Sequence, residues 1–186
     1  MKRAEKKEHL ISVAAEVFNR MGYHAAGVDR VIAEAGIAKT TLYRHFPSKE
    51  DLIVAVLDRI DEKFRDDMRR AVDARASEPR EKLLATFDFL AEWFGDATFH
   101  GCPFVGAAGE YGERTSPVFL QAATHKRLVL AYFEELAHAA GFADPKRIAQ
   151  EINLLHEGAT AVAHMTGTAR SAETAKATAA RLINGA

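Results

Sequence analysis

Two short apolar-periodic segments, about Val28–Ala35 and Lys39–Phe46, are separated by only three residues, Gly36-Ile37-Ala38. Val28, Val31, Ile32 and Ala35 fall on one face of the first segment at helical spacing. Leu42 and Phe46, four residues apart, are the apolar anchors of the second. Two short helices joined by a turn that starts on glycine form a helix-turn-helix. Pro47 and Ser48 then end the second helix and start another, with Ser48 as N-cap and Asp51 as the acid of a capping box.

The rest of the chain also reads as helix. No alternating β-branched run occurs, and Gly and Pro fall mostly between periodic segments. A first helix is predicted over about Ala4–Met21, with Leu10, Val13, Val17 and Met21 as its stripe and Gly22 as its stop. A long fourth helix runs over about Lys49–Ala74 and joins the two parts of the molecule. A fifth helix opens at Ser77-Glu78-Pro79, and a short one follows Pro103. Long helices begin at Pro117 and at Pro145, where proline suits the first helical position, and a last one covers about Ser171–Ile183. The expected fold is all-α: an N-terminal three-helix helix-turn-helix domain over 1–50, joined by the long helix to a larger helical domain over 51–186.

Charge singles out the front of the chain. Residues 1–50 carry +3, although the whole chain carries −1. No acid occurs between Ala35 and Glu50, and the third helix is instead dense in donors: Lys39, Thr40, Thr41, Tyr43, Arg44 and His45. In a helix-turn-helix the second helix lies in the DNA major groove. Lys39, Thr40, Thr41 and Arg44 are therefore expected to face bases or phosphates. Tyr43 and His45 sit at the edges, within reach of phosphates. Lys49 starts the next helix, whose free N–H groups also favour an anion. Lys2, Arg3, Lys6 and Lys7 form a basic arm expected to precede the first helix, which either reaches along the DNA backbone or into a minor groove or is a solvated terminus.

The run GYHAAGVDRVIAEAGIAKTTLYRHFPSKEDL resembles the DNA-binding domain of the TetR family of bacterial transcriptional regulators, over about residues 8–55. The resemblance implies an all-helical homodimer that represses transcription from an inverted-repeat site on double-stranded DNA and leaves it on binding a small-molecule effector. It also implies phosphate contacts by Tyr43 and Lys49. The sequence departs from the family pattern twice. Ala26-Gly27 stands where a hydroxyl residue often precedes the second helix, and Ala38 stands where serine often opens the third. Each change removes a side-chain cap.

The C-terminal part is rich in aromatic residues, and Trp93, Phe104, Tyr111, His125 and Tyr132 are the candidate ligand-binding residues. His125 lies within the stripe Val118, Ala122, Val129, Tyr132 and Leu136. Asn153, Glu157, Thr160 and His164 form a polar stripe beside His156. His156 and His164 are eight residues apart, too far along a helix to share one metal, so no metal site and no cofactor is expected. Cys102 is the only cysteine, so no intrachain disulfide forms, and no Lys or Arg lies near it in sequence. Gly158, Ala159, Ala161 and Ala163 allow close helix packing, and the last two helices are the expected homodimer interface.

No apolar run reaches the roughly 20 residues of a membrane span, and the charged N-terminus lacks a signal-peptide core, so a cytoplasmic location is expected. Nucleophile elbow, phosphate loop, zinc-protease motif and redox CxxC are all absent, and no catalytic residue is assigned. The expected function is a DNA-binding transcriptional regulator and not an enzyme. A helical protein-interaction module and a small helical enzyme are the competing readings. Steeply salt-dependent DNA binding separates them from a regulator.

Overall fold

A computed structural model describes residues 3–185, with the backbone alone for Arg3. Lys2 of the expected basic arm lies outside the described residues, as does the Arg3 side chain. Among the described residues there are nine helices and no strand. They are α1 (Arg3–Met21), α2 (Val28–Ala35), α3 (Lys39–His45), α4 (Lys49–Arg75), α5 (Pro79–Gly95), α6 (Pro103–Glu110), α7 (Pro117–Ala139), α8 (Pro145–Thr166) and α9 (Arg170–Gly185). The all-α expectation holds. One correction concerns the basic arm: Lys6 and Lys7 belong to the first turns of α1 and do not precede it.

The chain forms two compact units. One comprises residues 3–62 with 103–125, the other residues 63–102 with 126–185. Of the three boundaries, two fall inside helices, α4 and α7, and one falls at the start of α6.

In the first unit the helix-turn-helix is built from turn chemistry and a small core. Gly36 closes α2 at φ +62°, a left-handed conformation that glycine adopts without steric cost. Its N–H reaches the Ala33 carbonyl at 3.4 Å, and the Ile37 N–H reaches that of Ile32 at 3.3 Å, so the helix end is satisfied as the chain reverses. Leu10, Ala14, Val17 and Phe18 of α1 are buried with Val31 and Ala35 of α2 and Leu42 and Phe46 of the α3 segment. Burying the leucine, valine and phenylalanine side chains among them stabilises by about 1.5–3 kcal/mol each, enough to fix two helices too short to persist alone. The ring of His9 on α1 adds a bond from Nε2–H to the Ala35 carbonyl at 3.1 Å. The N-caps of α2 and α3, Gly27 and Ala38, make no side-chain cap bond, as their lack of hydroxyls predicts.

At the start of α4 the capping box is complete. The Asp51 N–H donates to Ser48 Oγ at 3.0 Å, and the Ser48 N–H donates to Asp51 Oδ2 at 3.0 Å.

The second unit has an apolar core from five helices. Met68 and Val72 of α4 are buried with Leu83, Phe87 and Leu90 of α5, Phe133 and Leu136 of α7, and Ile148 and Ile152 of α8. On α9 the buried positions are Ala172, Ala175, Ala179 and Ile183. Small side chains there let α9 lie close against α5 and α8, and Ser171 Oγ donates to the Ala159 carbonyl at 2.8 Å. The opposite face of α8 carries exposed Leu154, Val162 and Met165, with Met165 82% exposed.

Replacing Ser48 by alanine should remove the α4 cap at a cost of about 1 kcal/mol. Urea unfolding should show a lower midpoint at unchanged slope, and an unchanged midpoint would mean that Asp51 alone suffices.

Candidate functional site

The α3 helix divides cleanly. Leu42 is fully buried and Phe46 nearly so, while Lys39, Thr40, Tyr43 and Arg44 are exposed. Thr41 and His45 are half-buried at the edges. The six expected donors therefore line one short helix, held down through one face. α3 has no acid in its first turn and two basic groups, Arg44 and His45, in its last. Among the described residues no carboxylate or carbonyl engages the Arg44 guanidinium. Lys39 is different: its Nζ donates to Asp29 Oδ1 of α2 at 2.9 Å, and that hydrogen bond holds its pKa above the ordinary lysine value.

Lys49, at the first position of α4, does not point freely into solvent. Its Nζ donates to the His24 carbonyl at 3.0 Å, in the turn between α1 and α2. Lys7, on α1, lies over the Phe46 ring with Nζ 5.8 Å from its centroid, within cation–π range. The flanks of α3 thus carry cations from both α1 and α4.

The five expected ligand residues fall into two groups. Phe104, Tyr111 and His125 are in the first unit. His125 and Asp61 are both buried and paired at 2.7 Å through Nδ1, and Phe104 stacks on the imidazole at 3.6 Å and 7°. A buried carboxylate needs such a partner, and its burial alone would be costly. Tyr111 stacks on His24 at 4.4 Å. Burial pushes its phenol upward, and Glu50 and Glu110 add to that.

Trp93 and Tyr132 are in the second unit. Trp93 is half-buried, edge-on to Phe64 at 5.2 Å and to Phe99 at 5.0 Å. Tyr132 is buried beneath the Arg69 guanidinium, 4.1 Å from its ring, and burial raises its pKa to about 12. A surface depression in this unit is lined by Asp73, Ala74, Arg75, Ala76, Ser77 and Lys82, none of them an expected ligand residue.

Polar groups of the second unit gather where sequence proximity gave no sign of it. Lys126 Nζ donates to both Glu157 oxygens at 2.7 Å and to Cys102 Sγ at 3.3 Å. Burial alone would lower the Lys126 pKa, but the attraction of Cys102 and Glu157 outweighs it and the net shift is upward. No Lys or Arg lies near Cys102 along the chain, but α7 brings one to it from 24 residues away. His156 is buried between Phe87 and Phe133. With the Thr86 hydroxyl donating to the Leu83 carbonyl, its oxygen accepts from His156 Nε2–H at 2.8 Å, which sets the tautomer. His164, by contrast, is exposed on the same helix, with its ring against Gly101.

Comparison with known proteins gives a consistent set. Residues 10–56 match the family model described as bacterial regulatory proteins, tetR family. Over 92 residues the chain is 39% identical to the HTH-type transcriptional activator FasR of Mycolicibacterium smegmatis. That match takes in 47% of this chain and 42% of FasR, so the chain spans less than half of that relative. It is 26% identical over 164 residues to the HTH-type transcriptional regulator LmrA of Bacillus subtilis, covering 85% of this chain and 86% of that protein. A TetR-family transcriptional regulator from Streptomyces coelicolor superposes at TM-score 0.91 with 28% identity, over 97% of this chain and 89% of that one. A TetR transcriptional regulator from Chloroflexus aurantiacus does so at 0.86 with 25% identity, over 98% and 96%. These relatives are named as regulators, not enzymes. Among the described residues no helix is long and apolar enough to cross a membrane.

Burial drives the His156 pKa down to about 3, with nearby Lys126 adding to the shift, so the imidazole is neutral in the folded chain. The unfolded chain takes up that proton below its ordinary value near 6.5. Stability linked to His156 is therefore complete above that value and is lost as pH falls toward 3, with a limiting slope of about 1.4 kcal/mol per pH unit. Unfolding measured from pH 7 to pH 4 should show His156→Gln with a shallower loss than the parent. Equal slopes would place the acid sensitivity elsewhere.

Proposed function

This chain belongs to the TetR family of bacterial regulatory proteins, and from that premise we propose that it is a homodimeric, sequence-specific repressor, released from its operator by a small apolar or aromatic effector. The observation that carries the proposal is the exposed, acid-free face of α3, seated through Leu42 and flanked by cations. A helix so presented suits the major groove, where Lys39, Thr40, Thr41 and Arg44 meet base edges and Tyr43, His45 and Lys49 grip phosphates. The division of labour falls near residue 50, with the remaining helices serving dimerisation and effector binding.

The exposed α8 stripe supports the dimer. Leu154, Gly158, Ala161 and Met165 follow one another at helical spacing on the face turned away from the core. Such a face gains by meeting its own copy across a two-fold axis, with α9 alongside. Two recognition helices then read an inverted repeat about one helical turn apart. We centre the effector contacts on Trp93, whose half-buried ring sits in an aromatic cluster with Phe64, Phe89 and Phe99. An effector acts by favouring a subunit arrangement that no longer fits the half-site spacing.

Selection of bound fragments from a random DNA pool by the purified protein, at near-physiological salt, should enrich an inverted repeat. Absence of any binding even at low salt would favour a protein-interaction module instead. On the selected repeat, Arg44→Ala should cost about 1–3 kcal/mol and relax preference at one base position of each half-site, whereas Lys49→Ala should weaken all DNA about equally. Unchanged affinity and preference in Arg44→Ala would show that α3 does not enter the groove as described. A promoter carrying the repeat should fall silent when the protein is expressed, and increased transcription would reverse the proposed sign.

A further inference from the structure

The turn after α1 carries two adjacent backbone N–H groups, those of Tyr23 and His24, and a single carboxylate takes both. Glu110 Oε1 accepts from the Tyr23 N–H at 2.8 Å, and Oε2 accepts from the His24 N–H at 2.5 Å. Charge-assisted bonds of this kind are roughly twice as strong as neutral ones. The His24 ring adds a second tie: its Nε2–H donates to the Glu110 carbonyl at 2.8 Å, and it stacks on Tyr111. At the other end of α6 the Tyr23 hydroxyl donates to the Pro103 carbonyl at 3.1 Å. Both ends of α6 therefore hold one short turn. Gly22 leaves room for this: at φ +82°, a Cβ there would stand 3.1 Å from Glu110 Oε1.

The same turn holds Lys49. Its Nζ donates to the carbonyl of His24, the residue whose N–H Glu110 captures. An ammonium has three donors, so one bond to the carbonyl fixes Nζ and leaves two for a phosphate. We propose that Glu110 is a positioning residue for DNA binding: by clamping the N–H groups of Tyr23 and His24, its carboxylate sets the carbonyl that holds Lys49 at its phosphate. The inference rests on the reading of Lys49 as a phosphate ligand. Glutamate is specific to this task. Glutamine would turn an NH2 group toward one of the two N–H donors, and aspartate is one methylene short.

The test measures how affinity for the selected inverted repeat depends on salt, for the full chain, Lys49→Ala, Glu110→Gln and the double variant, with folding of each checked by circular dichroism. Each lysine–phosphate pairing removed makes the slope of log K against log salt shallower by about 0.9. Lys49→Ala should show that decrease. Glu110→Gln should show it too, with affinity down about tenfold at moderate salt, and the double variant should be little weaker still. A general fall in stability would lower affinity at an unchanged slope. Should Glu110→Gln not fold, Glu110→Asp keeps the charge, retracts the carboxylate and is read in the same way. A normal slope in Glu110→Gln, or fully additive effects in the double variant, would overturn the positioning role while leaving Lys49 on its phosphate. A normal slope in Lys49→Ala would overturn both.

Discussion

The exposed donor face of α3 depends on the burial of Leu42. With only seven residues, α3 cannot persist by its own hydrogen bonds, and every other position on it is polar. One leucine and the following Phe46 supply the apolar contact that ties it to α1 and α2. Because so little of α3 is given over to packing, the rest of its circumference is free to carry donors. Gly36 completes the arrangement by reversing the chain without leaving carbonyls unsatisfied.

What could be read from the sequence follows from how local its physical cause is. The helix boundaries were legible because caps, Gly36, Pro103, Pro117 and Pro145 act on their immediate neighbours. Val28–Ala35 and the Ser48–Asp51 capping box came out as expected for that reason. The donors of α3 were equally visible, since a seven-residue helix keeps them together whatever the remainder does. The buried stripe Val118, Ala122, His125, Val129, Tyr132 and Leu136 was legible from period alone.

Partners brought together by tertiary packing were not legible. Asp61 and His125 are 64 residues apart, and nothing in either neighbourhood marks them as a pair. Lys126 reaches Cys102 and Glu157 from a third helix. The aromatic residues expected to share one ligand site divide between the two units, because helical periodicity says that a ring is buried but not which rings meet. Glu110 gave no signal either. It sits on a short glycine-rich helix, and its role follows only from two N–H groups more than 80 residues earlier.

The ion pair between Lys39 and Asp29 sets the local charge at the start of α3. Both side chains are largely exposed, so the pair is weak and readily exchanged for another partner. Asp29 places a negative charge beside a helix that carries no acid of its own, so the first turn of α3 is less electropositive than its own residues suggest.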